Sequence, residues 1–121
     1  MSQTIINIIL FVLLVWFFAS RFIPPKGVRM MTAAELKRRL KEPGVQYIDV
    51  RTPLEFQSYH LPGFRNIPLH ELTARAHELS KEKEVIVICQ SGMRSQKASK
   101  LLKKMGFQHV TNVKGGLNAW Q

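Results

Sequence analysis

Hydrophobic and polar positions divide this chain into two regions of different kind. From Thr4 to Ala19 the residues read TIINIILFVLLVWFFA, with no charge and Asn7 as the one strongly polar side chain. A helix formed here has no hydrophilic stripe, so it demands an apolar environment all round. From Val28 onward the pattern changes to short alternating segments. Thr32-Ala33-Ala34-Glu35 has the form of a capping box, and Leu36 and Leu40 follow on one helical face. Pro43-Gly44 closes that helix, and Val45 to Val50 predicts a strand. Thr52-Pro53-Leu54-Glu55 repeats the helix-start signature with proline at the first helical position. His60-Leu61-Pro62-Gly63 predicts a turn, Asn66-Ile67-Pro68 a short extended piece, and Leu69 to Leu79 a helix. Val85 to Cys89 (VIVIC) is apolar without a break, which marks a strand covered on both faces, as in a parallel sheet. Ser95 to Met105 places Ala98, Leu101, Leu102 and Met105 on one helical face, with Gly106 as the stop. His109 to Val113 predicts a last strand, and Gly115-Gly116 turns into a helical stub ending at Trp120.

The alternation predicts a single α/β domain with a mainly parallel central sheet flanked by helices. At 121 residues the chain suits one such domain and an appendage. One cysteine excludes a disulfide-stapled module. The N-terminal run matters more once its flanks are considered. Sixteen residues give roughly 24 Å of helix, and extension from Met1 to Ile23 reaches the ~30 Å of a hydrocarbon layer. Trp16, Phe17, Phe18 and Phe22 then lie near one interface. No basic residue precedes the run and Ala19-Ser20 is a poor cleavage site, so an uncleaved anchor is expected rather than a signal peptide. Residues 1–23 are read as a transmembrane anchor, 24–27 as a linker and 28–121 as the domain. Arg21, Lys26 and Arg29 follow the span, which predicts a single-pass protein of the cell membrane with its domain facing the cytoplasm. All eighteen Lys and Arg lie outside the apolar run, and the net charge is +10. Anionic lipid and acidic protein partners both suit that surface. No aromatic stacking pattern accompanies the charge, so nucleic acid is not expected.

The candidate chemistry is in Cys89-Gln90-Ser91-Gly92-Met93-Arg94-Ser95, between the buried strand and an amphipathic helix. Ligands of open α/β sheets bind beyond the carboxyl ends of the strands. Successive amides of such a loop form an anion nest, the following helix adds its positive end, and Arg94 adds a full charge. These features favour a thiolate, and predict Cys89 as a nucleophile. A buried packing cysteine needs no such turn.

The loop resembles the active-site loop of rhodanese-type sulfurtransferases. Asp49-Val50-Arg51-Thr52-Pro53-Leu54-Glu55-Phe56 with His60-Leu61-Pro62-Gly63-Phe64-Arg65-Asn66-Ile67-Pro68 is similar to that family's first signature, and Gly115-Gly116-Leu117-Asn118-Ala119-Trp120 to its closing one. The resemblance implies that Cys89 takes a sulfane sulfur from a small anionic donor such as thiosulfate, as a persulfide. A thiol or a protein acceptor then removes it. Arg94 attracts the donor, Gln90, Ser91, Gly92, Met93 and Ser95 hold the outer sulfur, and Asp49 and Arg51 support the loop. No metal or organic cofactor is implied. With no second cysteine, turnover requires an external acceptor. Two alternatives are a membrane-tethered, non-enzymatic scaffold of the same fold and a phosphatase or arsenate reductase. Against the latter, Cys89 to Arg94 spans six residues where those enzymes use one more, and Ile88, not His, precedes the cysteine. Tyr59 and Phe64 depart from the family pattern, which usually has glycine and a small residue there. Of the histidines, only His60 fits a family turn, and there as a structural hydrogen bond.

Overall fold

The computed structural model describes residues 2–20 and 26–120. Arg21, Phe22 and Ile23 of the expected anchor and its flank, Pro24-Pro25 of the expected linker, and the two terminal residues lie outside the described residues. Helix α1 (Gln3–Ser20) has no buried residue, and among the described residues it is the one helix long and apolar enough to cross a membrane.

The rest is a five-stranded sheet in the order β1-β5-β4-β2-β3, parallel throughout. Its strands are β1 (Val28–Met31), β2 (Gln46–Asp49), β3 (Arg65–Asn66), β4 (Val85–Ile88) and β5 (Val110–Val113). Helices α2 (Ala33–Arg39), α3 (Pro53–Ser58), α4 (Leu72–Arg75) and α5 (Met93–Lys104) connect them. Strand β4 sits in the middle and is buried along its whole length. Val85, Val87 and Cys89 point to one face, where Ala98 and Leu102 of α5 cover them together with Phe107 and Val110. Ile86 and Ile88 point to the other, against Leu36, Phe64 and Leu117. The unbroken apolar run thus serves two cores at once, as its composition predicts.

Local signals act where the sequence places them. Thr52 and Glu55 form a complete capping box, with the Glu55 amide on Thr52 Oγ1 at 3.3 Å and the Thr52 amide on Glu55 Oε1 at 3.1 Å. Gly106 (φ 94°) ends α5 in a Schellman arrangement, with Phe107 N on Leu102 O and Gly106 N on Lys103 O. Two elements differ from expectation. The predicted helix over 69–79 divides into a 3₁₀ turn (Leu69–Glu71), the single α-turn α4 and a second 3₁₀ turn (Ala76–Glu78). Leu72, Ala76 and Leu79 still face the core. The periodicity selects the buried face, but a segment this short does not hold α geometry by itself, so packing sets the pitch. Helix α5 begins two residues before the predicted Ser95. Gly92 (φ 102°) is left-handed and its carbonyl accepts the Gln96 amide, so helical geometry starts at the next residue. Phe64 is buried edge-on against Tyr47, with ring centroids 5.3 Å apart.

From β4 the chain crosses through α5 to β5 on one side, and from β2 through α3 to β3 on the other. The connections diverge at the carboxyl ends of β4 and β2, which is where a doubly wound sheet opens a crevice.

Candidate functional site

Cys89 follows directly on β4 at that divergence. Its side chain has no exposed surface. The Gly92 amide donates to Sγ at 3.0 Å, and Ser95 Oγ lies 3.3 Å from it. Ser95 Oγ is also 3.2 Å from the Gly92 carbonyl, so one hydroxyl ties sulfur and loop together. The amides of Ser91, Met93, Arg94 and Ser95 meet no acceptor among the described residues. Three of them belong to the first turn of α5, whose N–H groups have no partner within the helix. The sulfur therefore sits on the floor of a loop with uncommitted donors, a setting that stabilises a further negatively charged atom bonded to it.

The loop is clamped from the C-terminal motif. Leu117 N donates to the Cys89 carbonyl and Asn118 N to the Gln90 carbonyl, both at 2.9 Å, and the Gln90 side chain donates to Asn118 Oδ1 at 2.7 Å. Gly116 comes so close that an added Cβ would lie 2.2 Å from the Cys89 carbonyl oxygen. That approach, together with φ 57°, explains why glycine is needed at this position.

Asp49 and Arg51 form a buried pair beneath the loop. Arg51 Nη2 is 2.8 Å from Asp49 Oδ2 and Nε is 3.0 Å from Oδ1, and the Arg51 amide also donates to Oδ1. The remaining guanidinium donors reach the Tyr59 carbonyl at 2.6 Å and Gln90 Oε1 at 3.3 Å. Four of the five N–H donors of this buried cation are thereby used, and one of them fixes a loop side chain. Asn66 joins the same corner, donating to the carbonyls of both Asp49 and Arg51.

Arg94 differs from expectation. Its guanidinium is not free at the rim but forms a bidentate pair with Glu55, at 2.7 and 2.9 Å. This contact holds the Glu55 carboxyl well down, at about 2, with Thr52 adding further hydrogen bonds. It raises the Arg94 guanidinium correspondingly. A neutralised arginine attracts a donor far less than a bare one, so its main effect is to tie the first turn of α5 to α3. Ser91 is exposed, and Met93 is 78% exposed at the loop's edge. His60 Nδ1 donates to the Phe56 carbonyl at 2.8 Å, and the two rings stack 3.8 Å apart. Among the described residues no cluster of His, Cys, Asp and Glu is able to hold a metal ion.

Glu55, Asn66, Gly116 and Asn118 are the site residues whose roles the sequence reading missed. Each lies in a motif already singled out, so a signal existed for the segment. What it lacked was the partner.

Fold and loop together define a class: an α/β domain that presents one cysteine in an amide-lined turn at the centre of a parallel sheet. The chain belongs to the rhodanese-like domain family, which matches residues 32–121. It is 35% identical over 120 residues to the uncharacterized protein YqhL of Bacillus subtilis, covering 99% of this chain and 94% of that one. It is 33% identical to thiosulfate sulfurtransferase GlpE of Pseudomonas syringae over 72% of this chain and 82% of that one. The structure resembles a rhodanese-like domain protein of Staphylococcus aureus with a TM-score of 0.71 and 31% identity, covering 77% of this chain and 91% of the other.

Proposed function

We propose that this chain is a membrane-anchored sulfurtransferase that carries a sulfane sulfur on Cys89. The observation that carries this reading is the Gly92 amide on Sγ, within a loop whose other amides are uncommitted. The Cys89 thiolate attacks the outer sulfur of a donor such as thiosulfate. A bond forms between Sγ and that sulfur while the donor's S–S bond breaks, and its electron pair leaves with sulfite. The loop amides then hold the terminal persulfide sulfur, with Gln90, Ser91, Gly92, Met93 and Ser95 forming its surround. An external thiolate attacks this terminal sulfur, and the electron pair returns to Sγ. The two half-reactions follow one another at a single residue. Asp49 and Arg51 keep the loop in place from below, and the Arg94–Glu55 pair does so from the side.

Residues 1–23 form the anchor, 24–27 the linker and 28–121 the domain in this reading. The domain faces the cytoplasm in the same reading, which the basic residues after the span support.

Incubating the full chain in detergent with thiosulfate and measuring intact mass tests the chemistry. One added sulfur, absent in Cys89→Ser and discharged by cyanide as thiocyanate, is the expected result. An unmodified chain favours the non-enzymatic scaffold.

A further inference from the structure

Beside the catalytic loop runs a groove of about 440 Å³, between the end of β2, the segment after β3 and one face of α5. Its volume is that of a ligand site, far more than a small inorganic donor needs. Val50, Pro68, Leu69 and Leu101 give it an apolar floor. Arg94 and Lys97 line it from α5, and with Leu101 they stand at i, i+3 and i+7 on one helical face. The groove therefore leads away from the loop along the helix for roughly 10 Å.

Its charge is one-sided. No Asp or Glu lines it. The Arg94 charge is cancelled by Glu55, whereas exposed Lys97 has no ion-pair partner among the described residues. His70 at the rim has Glu71 beside it, 3.5 Å away. What the groove offers is an apolar track that borders the first turn of α5 at Arg94, next to the loop, and carries one unpaired cation partway along it.

We infer that this groove is the acceptor subsite, and that it takes a low-molecular-weight thiol with an apolar stem ending in a carboxylate. This rests on the sulfur-transfer reading above. The stem lies on Leu69 and Leu101, the carboxylate meets Lys97, and the thiol end points back to the loop. There the acceptor thiolate forms a bond to the terminal sulfur, the Cys89 S–S bond breaks, and the pair leaves on Sγ. The products are an acceptor persulfide and the free enzyme thiolate, with no outside oxidant or reductant.

The test compares 6-mercaptohexanoate with 6-mercapto-1-hexanol, which share a stem and a thiol of similar acidity. Full-length protein is loaded with thiosulfate, freed of donor, and discharged by each thiol at subsaturating concentration. The carboxylate is expected to react about three- to fivefold faster at low salt, the size of an exposed ion pair. That preference should shrink in ~1 M salt, vanish in Lys97→Gln and persist in Lys104→Gln on the same helix. Equal rates in the wild type, or a preference that survives Lys97→Gln, overturn the inference while leaving sulfur transfer intact. A chain that never gains sulfur overturns the sulfur-transfer reading instead. Hexanoate, which has no thiol, decides the groove in that case. Amide shifts at Lys97 and Leu101 that 1-hexanol does not reproduce support it, and their absence overturns it.

Discussion

At the scale of single residues, the placement of charge is the main result. Both arginines near the loop are spoken for, Arg51 by Asp49 and Arg94 by Glu55. In the proposed chemistry, holding an anionic sulfur then falls to backbone dipoles, which need no counter-charge and cannot swing away. The Arg94–Glu55 pair has a measurable signature. Glu55 titrates at about 2 instead of 4.5, so the pair stabilises the fold fully above pH 4.5 and loses that effect as pH falls toward 2. Arg94→Ala should bring the Glu55 carboxyl back toward 4.5 by carbon-detected NMR titration. It should also lower stability by about 1 kcal/mol at neutral pH, a modest figure because the pair is about a third exposed to solvent. A wild-type Glu55 that already titrates near 4.5 would remove the pair from the account.

At the scale of elements, the site is a junction of three pieces: the end of β4, the first turn of α5, and the 3₁₀ turn Gly116–Ala119 that closes over both. The turn is an integral part of the site, because its amides take the carbonyls of Cys89 and Gln90. Gly116→Ala forces a methyl group onto the Cys89 carbonyl and adds strain at a positive φ. We expect a loss of at least ~2 kcal/mol in urea unfolding, together with weaker persulfide loading of the protein that remains folded. An unchanged midpoint with unchanged loading would show that the turn moves freely and clamps nothing. The elements themselves were readable at very different levels. The Thr52–Glu55 cap and the Gly106 stop follow from side chains a few residues apart, and both formed as their sequences dictate. The segment from Leu69 to Leu79 kept its buried face but not its helical pitch, because the pitch depends on the sheet it packs against.

At the scale of the whole molecule, an apolar helix with no buried residue precedes a domain with two complete cores. A helix apolar on every side is costly to leave in water, and a bilayer is one environment that removes the cost, as the proposed anchor requires. The proposed topology is tested in sealed cells with a membrane-impermeant maleimide, in a Cys89→Ser background. Ser2→Cys should label from outside, and Lys104→Cys only after the membrane is opened. Labelling of Lys104→Cys in intact cells would reverse the orientation, and recovery of the chain in the soluble fraction would remove the anchor.

What the sequence determined by itself was everything set by near neighbours. The VIVIC run declared a strand buried on both faces, the Thr-x-x-Glu boxes declared helix starts, and the cysteine between strand and Gly-containing turn marked a candidate site. These are local consequences of side-chain solubility and backbone freedom, and they hold before the chain is folded. Tertiary structure alone decided which groups meet. Glu55 and Arg94 are 39 residues apart, and Gly116 reaches Cys89 from the far end of the domain. Those contacts exist because the order β1-β5-β4-β2-β3 brings the ends of β4, β2 and β5 to one edge. A hydrophobic pattern states which side of an element faces inward, but only the assembled sheet fixes what it finds there.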